Sequence, residues 1–163
     1  MGGDYFSLMM GSEFALLTCN VNGLNTQSKR EELLTDLILR KIDIAVVTDS
    51  RLNENTVNQL RQNDNYNCIS NVLEVTEEDR RQTTSRGVMI LWKAKGLISI
   101  SELFRSTDGN LLIAQCNLDD KQILIVGIYG PNADTPSFYD RLEEKLEEFS
   151  HDRVVICGDF NVT

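Results

Sequence analysis

The chain contains no run of the roughly 18–20 apolar residues that a bilayer-spanning helix needs, and no basic flank precedes a long apolar stretch at its N-terminus. These absences leave no membrane partner in view and favour an intracellular protein, cytoplasmic or nuclear. There is no C-x-x-C pair: Cys19, Cys68, Cys116 and Cys157 are widely spaced and mostly sit within apolar, strand-like runs. Buried reduced thiols are therefore expected rather than disulfides or a zinc site. Internal repeats and low-complexity segments are also missing. Basic residues are few, with 16 Lys and Arg against 25 Asp and Glu, a net charge of −9. That balance opposes the usual route to nucleic acid, in which clustered Lys and Arg displace counterions from phosphates. Any DNA contact would have to be local or metal-mediated. The single histidine, His151, precedes a strand-like run and reads as a surface or helix-end residue.

What remains is the composition of an ordinary globular domain, 163 residues with 41% hydrophobic and 25% charged. Residues 1–14 read as a leader of tag or cloning origin, because Gly11-Ser12-Glu13-Phe14 has the look of a cloning scar. Tyr5 to Met10 could equally form a genuine strand. Residues 15–163 form the domain proper. Apolar runs predict strands at Ala15–Val21, Ile42–Thr48, Tyr66–Ser70, Gly87–Trp92, Leu111–Asn117, Gln122–Tyr129 and Arg153–Cys157. A first helix should follow a cap at Ser28 and bury Leu33, Leu34, Leu37 and Ile38, ending near Arg40-Lys41. A shorter helical pattern covers about Glu54–Gln62 and a better one Ser137–Phe149, whereas Glu74–Ser85 is polar and reads as an exposed loop. The turn at Leu118–Lys121 should join antiparallel neighbours, so the sheet is expected to be mixed.

Four apolar runs end in residues rich in oxygen and hydroxyl groups: Thr18 to Leu24, Val46 to Leu52, Gly127 to Asn132, and Ile156 to Asn161. Open sheets build sites where such strand ends converge. Each residue has a plainer use as well. Asn20 and Asn22 could shape a turn, Tyr129 could be half-buried packing, and Asp159 could cap the segment after the last strand.

The order and wording of Asn20-Val21-Asn22-Gly23-Leu24-Asn25, Ser85-Arg86-Gly87-Val88-Met89-Ile90 and Gly158-Asp159-Phe160-Asn161 resemble the endonuclease/exonuclease/phosphatase family. Within it, the chain is most similar to the apurinic-type endonuclease domain of non-LTR (LINE-type) retrotransposon polyproteins, over about Ala15 to Asn161. The resemblance implies an α/β fold of the DNase I-like kind and hydrolysis of phosphodiesters with Mg²⁺. Carried over by position, Asn20 and Asp49 would lie at the metal, and Asn22 and Arg51 at the substrate. Tyr129 would contact the scissile phosphate, Asp159 would orient or activate the attacking water, and Asn161 would hold phosphate oxygens. Hard oxygen ligands suit Mg²⁺, and preorganised donors stabilise charge developing on phosphate.

Two departures temper that carry-over. Where the family has a Glu as principal metal ligand, this chain reads Thr48-Asp49-Ser50-Arg51. The carboxylate is one methylene shorter and has a cation beside it, which disfavours Mg²⁺ and attracts phosphate. The family's later strands, with their Asp-His pair, lie beyond Thr163. The chain is accordingly expected to supply about half of a four-layer α/β sandwich: a mixed β-sheet with helices on one face and the other face bare. That face would take a second copy of the chain, giving a homodimer, or a partner protein. Little or no hydrolysis is expected of this chain alone. The alternative is an active Mg²⁺-dependent endonuclease completed by a dimer partner or a C-terminal part.

Overall fold

Long apolar strands covered on both faces are what this sequence specifies. In Ile44–Thr48 (β3) every residue is buried, and so are Ile123 to Ile128 within Lys121–Tyr129 (β8). Such continuous apolar runs fit only between two packed layers. The computed structural model describes residues 4–10, 12–72, 86–131 and 135–161. Its remaining elements are β1 (Asp4–Met10), β2 (Ser12–Asn20), α1 (Gln27–Leu39), α2 (Glu54–Leu60), β4 (Tyr66–Asn71), β5 (Val88–Lys93), β6 (Ser99–Arg105), β7 (Leu111–Leu118), α3 (Pro136–Glu147) and β9 (Arg153–Asp159).

The strands form two sheets, β1-β2-β3-β5-β4 and β6-β7-β8-β9. Both are mixed. β2 pairs parallel with β3 and β8 parallel with β9, and the other neighbours run antiparallel. Parallel neighbours require a crossover, supplied by α1 in the first sheet and α3 in the second. Each sheet therefore contains one βαβ unit.

Alternation along the strands sorts side chains into three apolar layers. Leu17, Cys19, Ala45 and Val47 pack under Leu33 and Leu37 of α1 and Val57 and Leu60 of α2. Residues of the opposite parity, Leu16, Ile44, Val46, Val88 and Ile90, meet Leu112, Ala114, Ile123, Ile125 and Cys157 of the second sheet. The outer face of that sheet, with Ile113, Leu124 and Val126, carries Phe138 and Leu142 of α3. Each fully buried aliphatic side chain contributes about 1.5–3 kcal/mol.

The mixed α/β class is as expected, but the face predicted to be bare is not. The chain's own β6–β9 sheet covers it, because the hairpin strands close on themselves instead of extending the first sheet. The apolar face on which a homodimer or partner interface was expected is thus internal among the described residues. Residues 4–10, which the sequence suggests are part of a leader or a genuine strand, pair with Ser12–Thr18 of β2, and Phe14 is buried between the sheets. The α1 cap is Thr26, which accepts from Lys29 N, rather than Ser28. Ile38, predicted to be buried, is 47% exposed. The strand β6 is not among the expected elements: in Ser-Ile-Ser-Glu-Leu-Phe-Arg its apolar residues are only half-buried at a sheet edge, and its register shifts between Glu102 and Phe104. The loop expected at Glu74–Ser85 lies outside the described residues, as does Asn132. No described helix is long and apolar enough to cross a membrane.

All four cysteines are free and buried. Burial pushes the Cys19 and Cys116 thiols up to about 11 and Cys157 to about 12. The raised values favour the neutral thiol, so this contribution to stability is complete below the ordinary value near 9 and is lost as pH climbs toward 11–12. A colorimetric thiol assay at pH 8 should find all four unreactive in the native protein and reactive after denaturation; fast reaction of native Cys157 would contradict this burial.

The sheets are tightly packed at Gly127, where an added Cβ would stand 2.5 Å from Val88 Cγ1 and 3.0 Å from Val46 Cγ1. Gly127→Ala should cost about 1–3 kcal/mol of unfolding free energy through overpacking. Val88→Ala in that background should be milder than the sum of the two single losses. Urea denaturation measures both; strictly additive losses would mean that the methyl finds room elsewhere.

Candidate functional site

Both βαβ units end at the same edge of the sandwich. Asn20 closes β2 and pairs with Thr48 at the end of β3, while Tyr129 closes β8 and pairs with Asp159 at the end of β9. The carboxyl ends of two parallel strand pairs, one from each sheet, therefore lie at a common edge, the usual location of sites in α/β folds.

The loops leaving these strands are stitched together by backbone hydrogen bonds. Gly23 N donates to Asp49 O at 2.7 Å, Leu24 N to Ser50 O at 2.9 Å, Ser50 N to Gly87 O at 3.1 Å and Arg51 N to Arg86 O at 3.0 Å. From α1, Lys29 Nζ reaches the Gly23 carbonyl, and the buried Arg30 holds those of Leu24 and Asn25. Asn22, Asp49 and Arg51 are thereby held at φ of 48°, 55° and 52°, and Asn161, whose N–H donates to Asp159, has φ 49°. The left-handed region is unfavourable for non-glycine residues by roughly 1 kcal/mol or more each and persists where the surroundings over-determine it. Four of the six described non-glycine residues with positive φ lie in these loops, the other two being Lys41 and Asp119.

The side chains meet across the two sheets. Asn20 Nδ2 donates to Asp159 Oδ2 at 2.8 Å, although 139 residues separate them, and Asn20 Oδ1 accepts from Asn22 N at 3.0 Å. Asp159 Oδ1 accepts from Asn161 N at 3.1 Å, and Asn161 Nδ2 donates to the Gly130 carbonyl at 2.8 Å. Arg51 grips Asp49 with both ends of its fork, Nε to Oδ1 at 2.9 Å and Nη2 to Oδ2 at 2.7 Å, and Nη2 also reaches Asn22 Oδ1 at 2.8 Å. Asp49 is 3% exposed. Six of the seven residues singled out in the sequence are thus joined by hydrogen bonds, and Tyr129 is paired in register with Asp159 beside them. Glycine is required beside it at Gly158, whose φ is 139° and where a Cβ would run into the Ile128 carbonyl.

Tyr129 stands among these charges. Burial raises its phenol above the ordinary value, Asp49 and Asp159 push the same way, and a hydrogen bond with Asn161 together with the Arg51 charge works against them. Arg51 is itself held more firmly protonated by its hydrogen bond to Asp49.

Two residues of this edge are not visible in the sequence. Asn71, at the end of β4, donates from Nδ2 to the Ser106 and Leu111 carbonyls at 2.8 and 2.9 Å and so ties the first sheet to the second. Asn110 gives its carbonyl to Tyr129 N at 2.8 Å, while its own buried Oδ1 has no partner among the described residues. Asn71 follows the expected strand Tyr66–Ser70 but precedes Val72-Leu73 rather than a polar motif, Asn110 follows no apolar run, and neither lies in a segment that carries the family resemblance. His151 is exposed, beyond α3, with Nδ1 2.7 Å from the Phe149 carbonyl.

Two packed mixed sheets with a helix layer on each outer face form an α/β sandwich of the DNase I-like kind. The model of the endonuclease/exonuclease/phosphatase family matches residues 17–163, and the chain belongs to that family. Solved structures share the fold at low identity. A humanized D. rerio TDP2 is 17% identical with a TM-score of 0.67, over 92% of this chain and 63% of that one. The endonuclease domain of TRAS1, a telomere-specific non-LTR retrotransposon, is 14% identical with a TM-score of 0.64, over 92% and 60%. The Xenopus laevis APE2 catalytic domain is 18% identical with a TM-score of 0.63, over 91% and 58%. The chain spans about three fifths of the length of these structures.

The metal that the family implies does not fit the side chains as they stand. Both Asp49 oxygens are committed to Arg51, Asn20 Oδ1 to a backbone amide, and both Asp159 oxygens to amide donors. Among the described residues no group of three His, Cys, Asp or Glu is placed to hold a metal ion.

The Tyr129 environment can be tested by ultraviolet titration of the phenol, using Tyr129→Phe to isolate its signal. Its midpoint should lie above 10 and fall in Asp159→Asn, which removes one of the neighbouring negative charges. A midpoint unmoved by that substitution would separate Tyr129 from the cluster.

Proposed function

We propose that this chain is a retrotransposon-type endonuclease-like domain that recognises DNA phosphodiesters at the strand-edge cluster and has little or no hydrolytic activity by itself. Support for a site comes chiefly from the Asn20–Asp159 hydrogen bond, which brings residues of both βαβ units to one edge. Support for weak hydrolysis comes from the bidentate Arg51–Asp49 pair, which takes up the carboxylate that the family would give to Mg²⁺. In this reading Asp159 holds Asn20 and Asn161 in register, Asn161 and Tyr129 present donors to phosphate oxygens, and Asn22 and Arg51 line the approach. With a net charge of −9, binding should be local and modest, not driven by an extended basic surface.

A second reading has one observation in its favour. Because the chain spans about three fifths of the structures it resembles, a further segment or a second copy could complete an active Mg²⁺-dependent endonuclease. A nicking assay on supercoiled plasmid separates the two. The first reading expects no nicking above background with Mg²⁺, together with weak binding to a DNA duplex that Asp159→Ala diminishes. Metal-dependent nicking by this chain that disappears in Asp159→Ala would establish the second. Absence of any DNA binding would remove the first.

A further inference from the structure

We propose that Arg51 is a built-in cation: its guanidinium takes the place of a divalent metal at Asp49 and closes the site to one. The inference rests on reading this cluster as the family's phosphodiester site and adds to it what controls the site's charge.

Three observations carry it. First, the pairing is bidentate and complete: Nε and Nη2 satisfy one oxygen each of a carboxylate that is otherwise buried. Forked arginine pairing of this kind is the strongest that a carboxylate makes with a side chain. Second, the same Nη2 bonds Asn22 Oδ1 at 2.8 Å, so the guanidinium also takes up an amide oxygen that could have served as a hard ligand. Third, the backbone is built to aim the side chain there. Arg51 is held at φ 52° by the hydrogen bond from its N–H to the Arg86 carbonyl, and its stem lies over Gly23, where an added Cβ would come 3.2 Å from Cδ. The glycine leaves room for the arginine.

Mg²⁺ needs carboxylate oxygens at about 2.1 Å in near-octahedral arrangement, and it would bring two positive charges against a guanidinium already touching both oxygens. The metal can enter only if Arg51 leaves. Removing the arginine would leave Asp49 as an uncompensated buried carboxylate near Asn20 and Asp159, a hard-oxygen set with a strong demand for a cation. Arg51 thereby sets the site to engage phosphate through a fixed organic charge, independent of divalent metal.

The test titrates Mn²⁺ as the probe ion, by electron paramagnetic resonance of the free ion, into the wild type, Arg51→Ala, Arg51→Gln and Arg51→Ala/Asp49→Asn. No DNA is present. The wild type should show no saturable site at millimolar Mn²⁺. Either Arg51 variant should gain one site at least about tenfold tighter than any wild-type binding, and the Asp49→Asn change should abolish it. Circular dichroism checks that each variant folds. If neither Arg51 variant folds, the wild type decides alone through Mn²⁺ broadening of the Asn20, Asn22 and Asn161 side-chain amide resonances: sharp signals support the proposal and broadened ones overturn it. Saturable wild-type binding equal to that of Arg51→Ala, or no gain in a folded Arg51 variant, would overturn it as well. DNA binding measured separately in a chelator reports on the functional reading. Loss of that binding in every form would sink the reading, whereas the Mn²⁺ isotherms judge only the role of Arg51.

Discussion

Asn20 and Asp159 can touch only because two sheets, each with its own parallel strand pair, pack with the carboxyl ends of those pairs at one edge. Every other feature of the cluster depends on that alignment. Two antiparallel meanders packed face to face would have shared a core equally well but would not have pointed four strand ends the same way. The crossovers α1 and α3 make the parallel pairs possible. The apolar layer between the sheets, crowded enough at Gly127 to exclude a methyl group, fixes their separation.

The loops on that edge trade conformational comfort for placement. Non-glycine residues at Asn22, Asp49, Arg51 and Asn161 occupy the left-handed region, and interloop backbone hydrogen bonds keep the first three there. The return is a cluster in which each carboxylate oxygen of Asp49 and Asp159 has a donor before any ligand arrives. In this chain the positive charge beside Asp49 is the guanidinium of Arg51, covalently attached and held in a fork. Tyr129 is affected by the same distribution of charge, kept neutral by burial and by the two nearby aspartates.

Much of this is legible in the residues. Apolar runs ending abruptly in Asn, Asp, Thr or Tyr mark the strand ends, and the seven positions that the family resemblance picks out there lie at one edge. Spacing locates the helices, apart from a cap that belongs to Thr26 and an Ile38 that points outward. The features that escape such a reading have common causes. The strand β6 alternates weakly because one side of it is an edge. That two sheets rather than one would form depends on long-range packing that no local pattern encodes, and so the sequence alone makes the inner face look in need of a partner. Asn71 and Asn110 act through backbone carbonyls brought close only by the fold. The Asp49–Arg51 grip joins residues two apart, but it requires a backbone turn that sequence gives no reason to expect of two non-glycine residues.

The central claim, that one site is assembled from both sheets, is tested most directly by a double-mutant cycle between Asn20→Ala and Asp159→Ala, read by urea denaturation. An exposed hydrogen bond to a carboxylate predicts a coupling of about 0.5–1.5 kcal/mol. Losses that simply add, with no coupling beyond error, would mean that the two strand ends do not meet and that the cluster does not exist as described.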